Sequence, residues 1–375
     1  MQISPVSFCG NKEKKQKIKN KGFIRGQMAN GAIATAASLP TVGILQAMKK
    51  VSKVSKKEID DLSIASQKGL ELTGLKQKGV EIFSIQEDPE LKTKMKDLIG
   101  CAGKLYKSIF SKNDELIEQC AEEAKKSLER LFENAKEDQE AMDALKTEIL
   151  SSKKLKNGIP EMNEAIAQNI ANMQALTMFK NGSNACYLPH ANKIILPSKT
   201  LRTSVFHEMG HAMNNNGGMI MKALQKCRPL AKIVPGAVLM VSLLNKRPKN
   251  SEKVDTSTLK GKMQNVADKT KKHAGLITGL AMLPMVLEEG IASLRGQGVA
   301  KKLVSEGSLS KELFKKIKAT NFGGFASYAL AATGAVAACE LAIKIKDNIQ
   351  KKYEEKKAMQ GSANTEGIGL NAHQG

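Results

Sequence analysis

Four runs of uncharged, mostly apolar residues constrain how this chain of 375 residues can fold. A helix needs about 20 residues to span a bilayer, and two of the runs, 26–48 and 319–339, contain 23 and 21 residues. The other two, 233–245 and 274–287, have the length of core or re-entrant helices. The runs predict a mainly α-helical protein associated with a membrane. The candidate transmembrane helices are 26–48 and 319–343.

The two shorter runs are separated by a lysine-rich stretch, 246–273, which we expect to be a polar loop. Together they predict an apolar helical hairpin over 229–287. A hairpin that dips into a membrane and a soluble helical hairpin explain this pattern about equally well.

The formal net charge of +22 suits an anionic bilayer as well as nucleic acid. Lysine is spread along the whole chain, aromatic residues make up only 4%, and there is no arginine–aromatic cluster or nucleic-acid-binding motif. We therefore expect a membrane partner and do not expect nucleic-acid binding.

The remaining segments are polar. Residues 1–25 form a basic tail with no apolar core, so we expect no cleavable signal peptide. Residues 49–157 combine mixed charges with apolar residues at three- and four-residue spacing, which predicts amphipathic helices. Residues 344–375 are polar, and we expect a disordered tail. The six cysteines have no framework spacing, which favours reduced thiols.

The chemistry is concentrated in the sequence His207-Glu208-Met209-Gly210-His211. Two histidines at i and i+4 share one face of a helix and can bind one zinc ion, while Glu208 can reach a water at the metal. Ser198 or Thr200 can cap the start of this helix, and the polar, glycine-containing stretch 214–218 can end it.

A catalytic zinc site requires a third protein ligand. Asn214 and Gly217 stand where the metzincin pattern has glycine and histidine, which excludes that class. A rigid helix is needed to support a ligand, and the pair Glu288-Glu289 directly follows an apolar run. The other candidates lie in the polar stretch: Glu252, Asp255, Asp268 and His273.

With these motifs the chain resembles the HtpX and CaaX-prenyl-protease family of membrane gluzincins. In that family the HExxH helix is followed by membrane helices and by an E-x-x-A-D helix that supplies the third ligand. Here Glu289 begins E-x-x-A-S, with Ser293 where the family has aspartate. The stretch 184–196 resembles the family's N-A-F segment and the edge strand that holds an extended substrate.

The resemblance implies a zincin-like metalloprotease core with a short edge strand or small sheet, covering 158–318, and location in a bacterial-type cytoplasmic membrane. It implies one Zn²⁺ held by His207, His211 and Glu289, with Glu208 as general base in the hydrolysis of a protein or peptide substrate. Glu288 would then accept a hydrogen bond from a ligating imidazole. Gly210, Ala292 and Ser293 are small enough to let the two helices pack closely.

The donor that stabilises the oxyanion is not distinguished among Tyr187, His273, Arg295 and Tyr328. The substrate preference and the oligomeric state are not specified by the sequence. The alternative function is a catalytically silent, membrane-bound helical protein with a degenerate or structural zinc site.

Overall fold

The computed structural model describes residues 44, 47–48, 50–111, 113–131, 138–151, 164–182, 184–199, 202–245, 247 and 254–369. The basic tail 1–25, most of the apolar run 26–48 and the boundary expected near residue 158 lie outside these residues. The described chain divides into two units. The histidine unit comprises Ile44–Gln225 and Glu288–Ala326, and the apolar-helix unit comprises Lys226–Leu287 and Ser327–Gly375.

Helix α1, Lys56–Leu72, belongs to the histidine unit and begins with a capping box. The Ser55 hydroxyl accepts a hydrogen bond from the Glu58 backbone, and the Glu58 carboxylate accepts one from the Ser55 backbone. These two bonds satisfy amides that the first turn of a helix leaves unpaired. The helix ends at Leu72, Thr73 is its C-cap, and Gly74 follows with a φ of 68°, a left-handed conformation that favours glycine.

A small sheet lies next in the histidine unit, with strands β1 Glu81–Ile85, β2 Cys186–Leu188 and β3 Lys193–Pro197. The strand order is β1-β3-β2; β1 runs parallel to β3, and β2 runs antiparallel to it. The expectation of a mainly helical fold with a small sheet is confirmed. The prediction of helices throughout 49–157 is wrong at β1, because this segment pairs with a strand more than a hundred residues away.

In the described part of the chain, four α-helices lie between β1 and β2. Helices α2 and α3 form a hairpin, and the charged region predicted to be helical is confirmed there. Their bounds and those of the next two helices are α2 Leu91–Ser111, α3 Asp114–Leu131, α4 Gln139–Ser151 and α5 Glu164–Gln174, followed by a π-helical turn over Ala175–Lys180.

The described residues of the histidine unit form two clusters of buried apolar side chains. One packs one side of the sheet against α4 and α5, and includes Leu145, Phe179 and Ile195. The other includes Phe206 and Met209 and surrounds the helix that carries the two histidines. That helix is α6, Val205–Asn215, and it is followed by α7, Met219–Cys227.

The apolar-helix unit contains α8 Leu230–Leu244, α9 Leu259–Lys272, the first part of α10 Ala274–Ser305 and most of α11 Lys311–Gly369. Among the described residues, three helices are long and apolar enough to cross a membrane: Met219–Leu244, Ala274–Ser305 and Lys311–Tyr353. Each covers all or nearly all of one apolar run, so the helices predicted from the three described runs are confirmed and are longer than the runs themselves.

Two expectations about polar segments are wrong. The stretch 246–273 contains α9, which the Thr258 side chain caps by accepting a hydrogen bond from the Gly261 backbone. Residues 344–369 continue α11, where a disordered tail was expected. Both segments are rich in lysine and were therefore expected to be irregular, although lysine itself is a good helix former.

Candidate metal centre

Helix α6 begins differently from what the sequence suggested. A 3₁₀ turn, Arg202–Ser204, precedes it, and the N-cap is Ser204, whose side chain makes no capping hydrogen bond. The capping role expected for Ser198 or Thr200 is therefore wrong: Ser198 lies before the turn, and Thr200 lies outside the described residues. The helix ends at Asn215, as the polar stretch 214–218 predicted.

Three buried donor atoms meet on α6 and α10. The Nε2 atoms of His207 and His211 are 3.0 Å apart, and Oε2 of Glu289 lies 3.1 Å from the first and 3.4 Å from the second. Tetrahedral zinc with bond lengths near 2.0–2.1 Å separates neighbouring donors by about 3.3 Å. The triangle therefore has the size and the His₂Glu composition of a site that holds one metal ion.

The other ring nitrogen of His207 is held by Ser293. The Ser293 hydroxyl lies 3.1 Å from Nδ1 and donates its own proton to the Asn321 carbonyl oxygen, also at 3.1 Å. Because that proton is committed to Asn321, the hydroxyl oxygen can only accept from Nδ1. His207 therefore carries its proton on Nδ1 and presents the Nε2 lone pair to the triangle.

Glu288 performs the corresponding task for His211. Its Oε1 atom lies 2.8 Å from Nδ1 of His211, and it also accepts from the side chains of Asn214 at 2.9 Å and Gln225 at 3.2 Å. Glu288 is completely buried, so these three donors compensate the loss of water around its charge. The two adjacent acids thus have separate roles: Glu289 faces Nε2, and Glu288 faces Nδ1.

Small residues allow α6 and α10 to approach this closely. A Cβ atom placed on Gly210 would lie 2.0 Å from the carbonyl oxygen of Ala292, and one placed on Gly296 would lie 2.0 Å from that of Phe206. Each helix thus contributes a glycine where the backbone of the other passes. The close packing expected at Gly210 and Ala292 is confirmed.

Glu208 is buried on α6, and its carboxylate makes no hydrogen bond to the described part of the chain. Burial, followed by the negative charges of Glu208 and Glu148, raises the pKa of the Cys186 thiol well above its ordinary value. The charge of Glu208 therefore acts on the edge strand β2, which carries Cys186.

The pKa of His211 reflects the two carboxylates that lie beside it in the metal-free site. Burial lowers its pKa, but the charge of Glu289 and the hydrogen bonds to Glu288 and Glu289 outweigh that effect and raise the pKa to about 10. Without a metal the site therefore attracts a proton, and a cation of higher charge would be stabilised by the same carboxylates.

The other third-ligand candidates are not part of this group. Asp255, Asp268 and His273 belong to the apolar-helix unit, and Glu252 lies outside the described residues. Asp255 accepts hydrogen bonds from Ser257, and Asp268 accepts from Asn245 and Gln264. Both carboxylates are thus hydrogen-bonded to neighbouring polar residues of their own unit.

Two of the four candidates for the oxyanion donor lie in the histidine unit. The Tyr187 hydroxyl donates to Oδ1 of Asn192 at 2.6 Å and accepts from Asn215 at 2.9 Å. Its only proton is therefore engaged, which favours the half-buried Arg295 over Tyr187 as the donor. Tyr328 and His273 belong to the other unit.

Sequence reasoning missed Asn214, Gln225 and Asn321 as supports of the site. Asn214 lies three residues after His211 and seven after His207, on the same helix face, so its position carried a detectable signal. Gln225 and Asn321 reach the site from α7 and α11 and carried no such signal. Comparison with family models, curated proteins and solved structures finds no match to this chain.

Proposed function

We propose that this protein is a zinc-dependent metalloendopeptidase associated with a membrane. The observation that carries the proposal is the donor triangle of His207, His211 and Glu289 with both Nδ1 atoms held by acceptors. A pair of histidines that served only for packing would not require their Nε2 atoms to converge on a carboxylate oxygen. The resemblance to the HtpX and CaaX-prenyl-protease family supports the same conclusion.

Zinc bound by these residues would lower the pKa of a water towards about 7 and polarise the scissile carbonyl. Glu208 takes a proton from the attacking water and passes it to the leaving amine nitrogen. It follows the first ligand by one position, about 100° around the helix, and its carboxylate has no competing hydrogen bond among the described residues. Both its position on α6 and the lack of a competing hydrogen bond among the described residues suit the role of general base.

Ser293 and Glu288 fix the orientation of the two imidazoles. Acceptors at Nδ1 select the tautomer that ligates through Nε2 and increase the electron density available to the metal. The family has aspartate where this chain has Ser293; the serine hydroxyl supplies an acceptor without adding a negative charge. The metal ligands and Glu288 already bring two carboxylates into the site, so a neutral acceptor limits their mutual repulsion.

The substrate would be a peptide in extended conformation. β2 forms an edge of the sheet in the described part of the chain, and its Cys186 lies within the field of Glu208. An extended peptide can add to such an edge through main-chain hydrogen bonds. The scissile bond would then lie beside the proposed base.

Membrane association rests on the three apolar helices. One of them, Ala274–Ser305, also carries Glu288 and Glu289, so the third ligand and its neighbour stand on a helix that is long enough to span a bilayer.

The decisive experiment measures zinc content and cleavage of an unstructured protein on the full chain purified in detergent. We expect one zinc per chain and cleavage in the wild type, and zinc without cleavage in Glu208→Gln. The control Glu306→Gln alters an exposed carboxylate after α10 and should retain both properties.

A wild-type protein without zinc would contradict the metal site. Zinc without cleavage in the wild type would replace the proposal by the catalytically silent alternative. Full cleavage by Glu208→Gln would disprove the role of Glu208 as base.

A further inference from the structure

Helix α9 exposes an apolar stripe that the proposed peptidase does not use. Leu259, Met263 and Val266 lie at i, i+4 and i+7 on one face, with 76%, 67% and 62% of their surfaces exposed. Three large apolar side chains in one row are unfavourable in water and are characteristic of a helix that rests on an apolar medium.

Exposed lysines accompany the stripe. Lys262 and Lys269 lie along one side of it and Lys260 along the other, at 100° per residue around the helix. The only acidic residue of α9 is Asp268, which accepts hydrogen bonds from Asn245 and Gln264. The exposed face is therefore apolar in the middle and cationic at both margins, a pattern typical of helices at the surface of an anionic bilayer.

The opposite face of α9 is tied to its own unit by polar contacts. Gln264 donates to Asn245, and the fully buried ammonium of Lys271 donates to Asp347 and to the Arg247 carbonyl oxygen. These contacts hold the helix by its polar side, so the apolar stripe is directed away from them. The orientation of α9 is thus determined by these polar contacts and not by the exposed lysines that flank the stripe.

Both ends of α9 connect to candidate membrane spans. The span Met219–Leu244 ends fifteen residues before Leu259, and the span Ala274–Ser305 begins directly after His273. Contacts join the ends of these spans to α11, since Lys346 donates to the Ser242 carbonyl and the Gly275 amide donates to Glu340. If the spans cross a bilayer, α9 must lie at the level where their apolar segments end.

We propose that α9 is an interfacial helix that binds an anionic phospholipid surface. The stripe of Leu259, Met263 and Val266 enters the boundary between headgroups and acyl chains, and the flanking lysines contact lipid phosphates. The inference rests on the membrane association in the proposed function and is independent of the metal site.

The chain has no tryptophan, so a single introduced tryptophan reports its own environment. Met263→Trp places the reporter in the stripe, and Ile99→Trp is the matched control, because Ile99 is 66% exposed on α2 in the histidine unit. Both proteins are reconstituted as full chains into vesicles of phosphatidylcholine with or without phosphatidylserine, and flotation confirms their incorporation.

We expect the Met263→Trp emission to shift to the blue and to be quenched by brominated phospholipid, more strongly with phosphatidylserine present. The Ile99→Trp emission should show neither effect. Replacing Lys260, Lys262 and Lys269 by glutamine in the Met263→Trp protein should remove the dependence on phosphatidylserine.

Several results would overturn the inference. A blue shift without quenching by brominated lipid would mean that protein covers the stripe, either a second copy or another chain. An unshifted emission in floating vesicles would mean that the stripe faces water. Failure of the wild type to float would refute the membrane association itself, whereas loss of zinc or of cleavage would leave these measurements unchanged.

Discussion

Ser293 accepts the Nδ1 proton of His207 and donates its own hydroxyl proton to the Asn321 carbonyl, both at 3.1 Å. One hydroxyl thus connects a proposed ligand on α6 to the backbone of α11. A second hydrogen bond joins the same two residues, because the Asn321 side-chain amide donates to the Ser293 carbonyl oxygen at 3.3 Å. The orientation of the His207 imidazole therefore depends on contacts from two other helices.

We predict that Ser293→Ala weakens zinc binding by about 10–100-fold, the typical effect of removing a partner of a ligating histidine. The imidazole loses the acceptor that fixes its tautomer, while all three ligands remain. Competition with a chelator of known zinc affinity measures the change. Ser305→Ala is the matched control, because the Ser305 hydroxyl donates to the Lys302 carbonyl in the last turn of α10 and to no other described residue. Equal affinities in the two variants would contradict the role of Ser293.

The adjacent acids should respond differently to amide substitution. Glu289→Gln replaces the carboxylate that we propose as a ligand, so we expect zinc to be lost. Glu288→Gln keeps an oxygen that can accept from Nδ1 of His211 but removes the charge that Asn214 and Gln225 also contact. We expect zinc to remain bound at an affinity reduced by about 10–100-fold. Metal analysis after dialysis distinguishes the two, and the reverse order would exchange their assignments.

The glycine contacts between α6 and α10 predict a packing effect. Gly210→Ala and Gly296→Ala each force a Cβ atom against a carbonyl group, and the helices must separate. We expect each change to lower the stability by about 1–3 kcal/mol or more, as overpacking does. Gly298→Ala on the same helix meets no atom within 4 Å and should stabilise α10 by up to about 1 kcal/mol through helix propensity.

Thermal unfolding in detergent with zinc present compares the three alanine variants. A midpoint equal to that of the wild type for Gly210→Ala would mean that the helices do not approach as closely as described. A strong loss in Gly298→Ala would show that glycine is required on α10 for a different reason.

The parts of the site that the sequence predicted are those with local spacing. His207 and His211 are one helical turn apart, so their shared face follows from helix geometry alone. Glu289 required an additional criterion, the register of E-x-x-A-S, because Glu288 is adjacent and chemically identical. The structure gives both acids a role, which explains why spacing could not decide between them.

The parts that were missed depend on contacts distant in sequence. Asn321 and Gln225 reach the site across 28 and 63 residues, and no local pattern marks either of them. Strand β1 is five residues long within a charged helical region, and its pairing with Lys193–Pro197 determines its structure. Helix α9 was missed for another reason: its many lysines suggested a polar loop, although Thr258 provides a local capping signal.

The raised pKa of His211 predicts a pH dependence of zinc binding. In the metal-free protein the imidazole has a pKa of about 10, against 6.5 for an unperturbed histidine. Its protonation stabilises the metal-free fold fully below pH 6.5, and that contribution is lost as the pH rises through 10. Zinc must displace this proton, because a ligating imidazole is neutral. Between pH 7 and 9 we therefore expect the apparent zinc affinity to rise about tenfold per pH unit.

Calorimetry in buffers of different ionisation enthalpy measures the proton release directly, and the expected value is about one proton per zinc across this range. The matched variant is Glu288→Gln, which replaces the charged acceptor of one hydrogen bond that raises the pKa of His211 by a neutral one and should therefore reduce the proton release at the upper end of the range. An unperturbed histidine would be mostly neutral above pH 7 and would release almost no proton. A flat affinity profile from pH 7 to 9 would accordingly show that the carboxylates do not hold a proton on His211 before the metal binds.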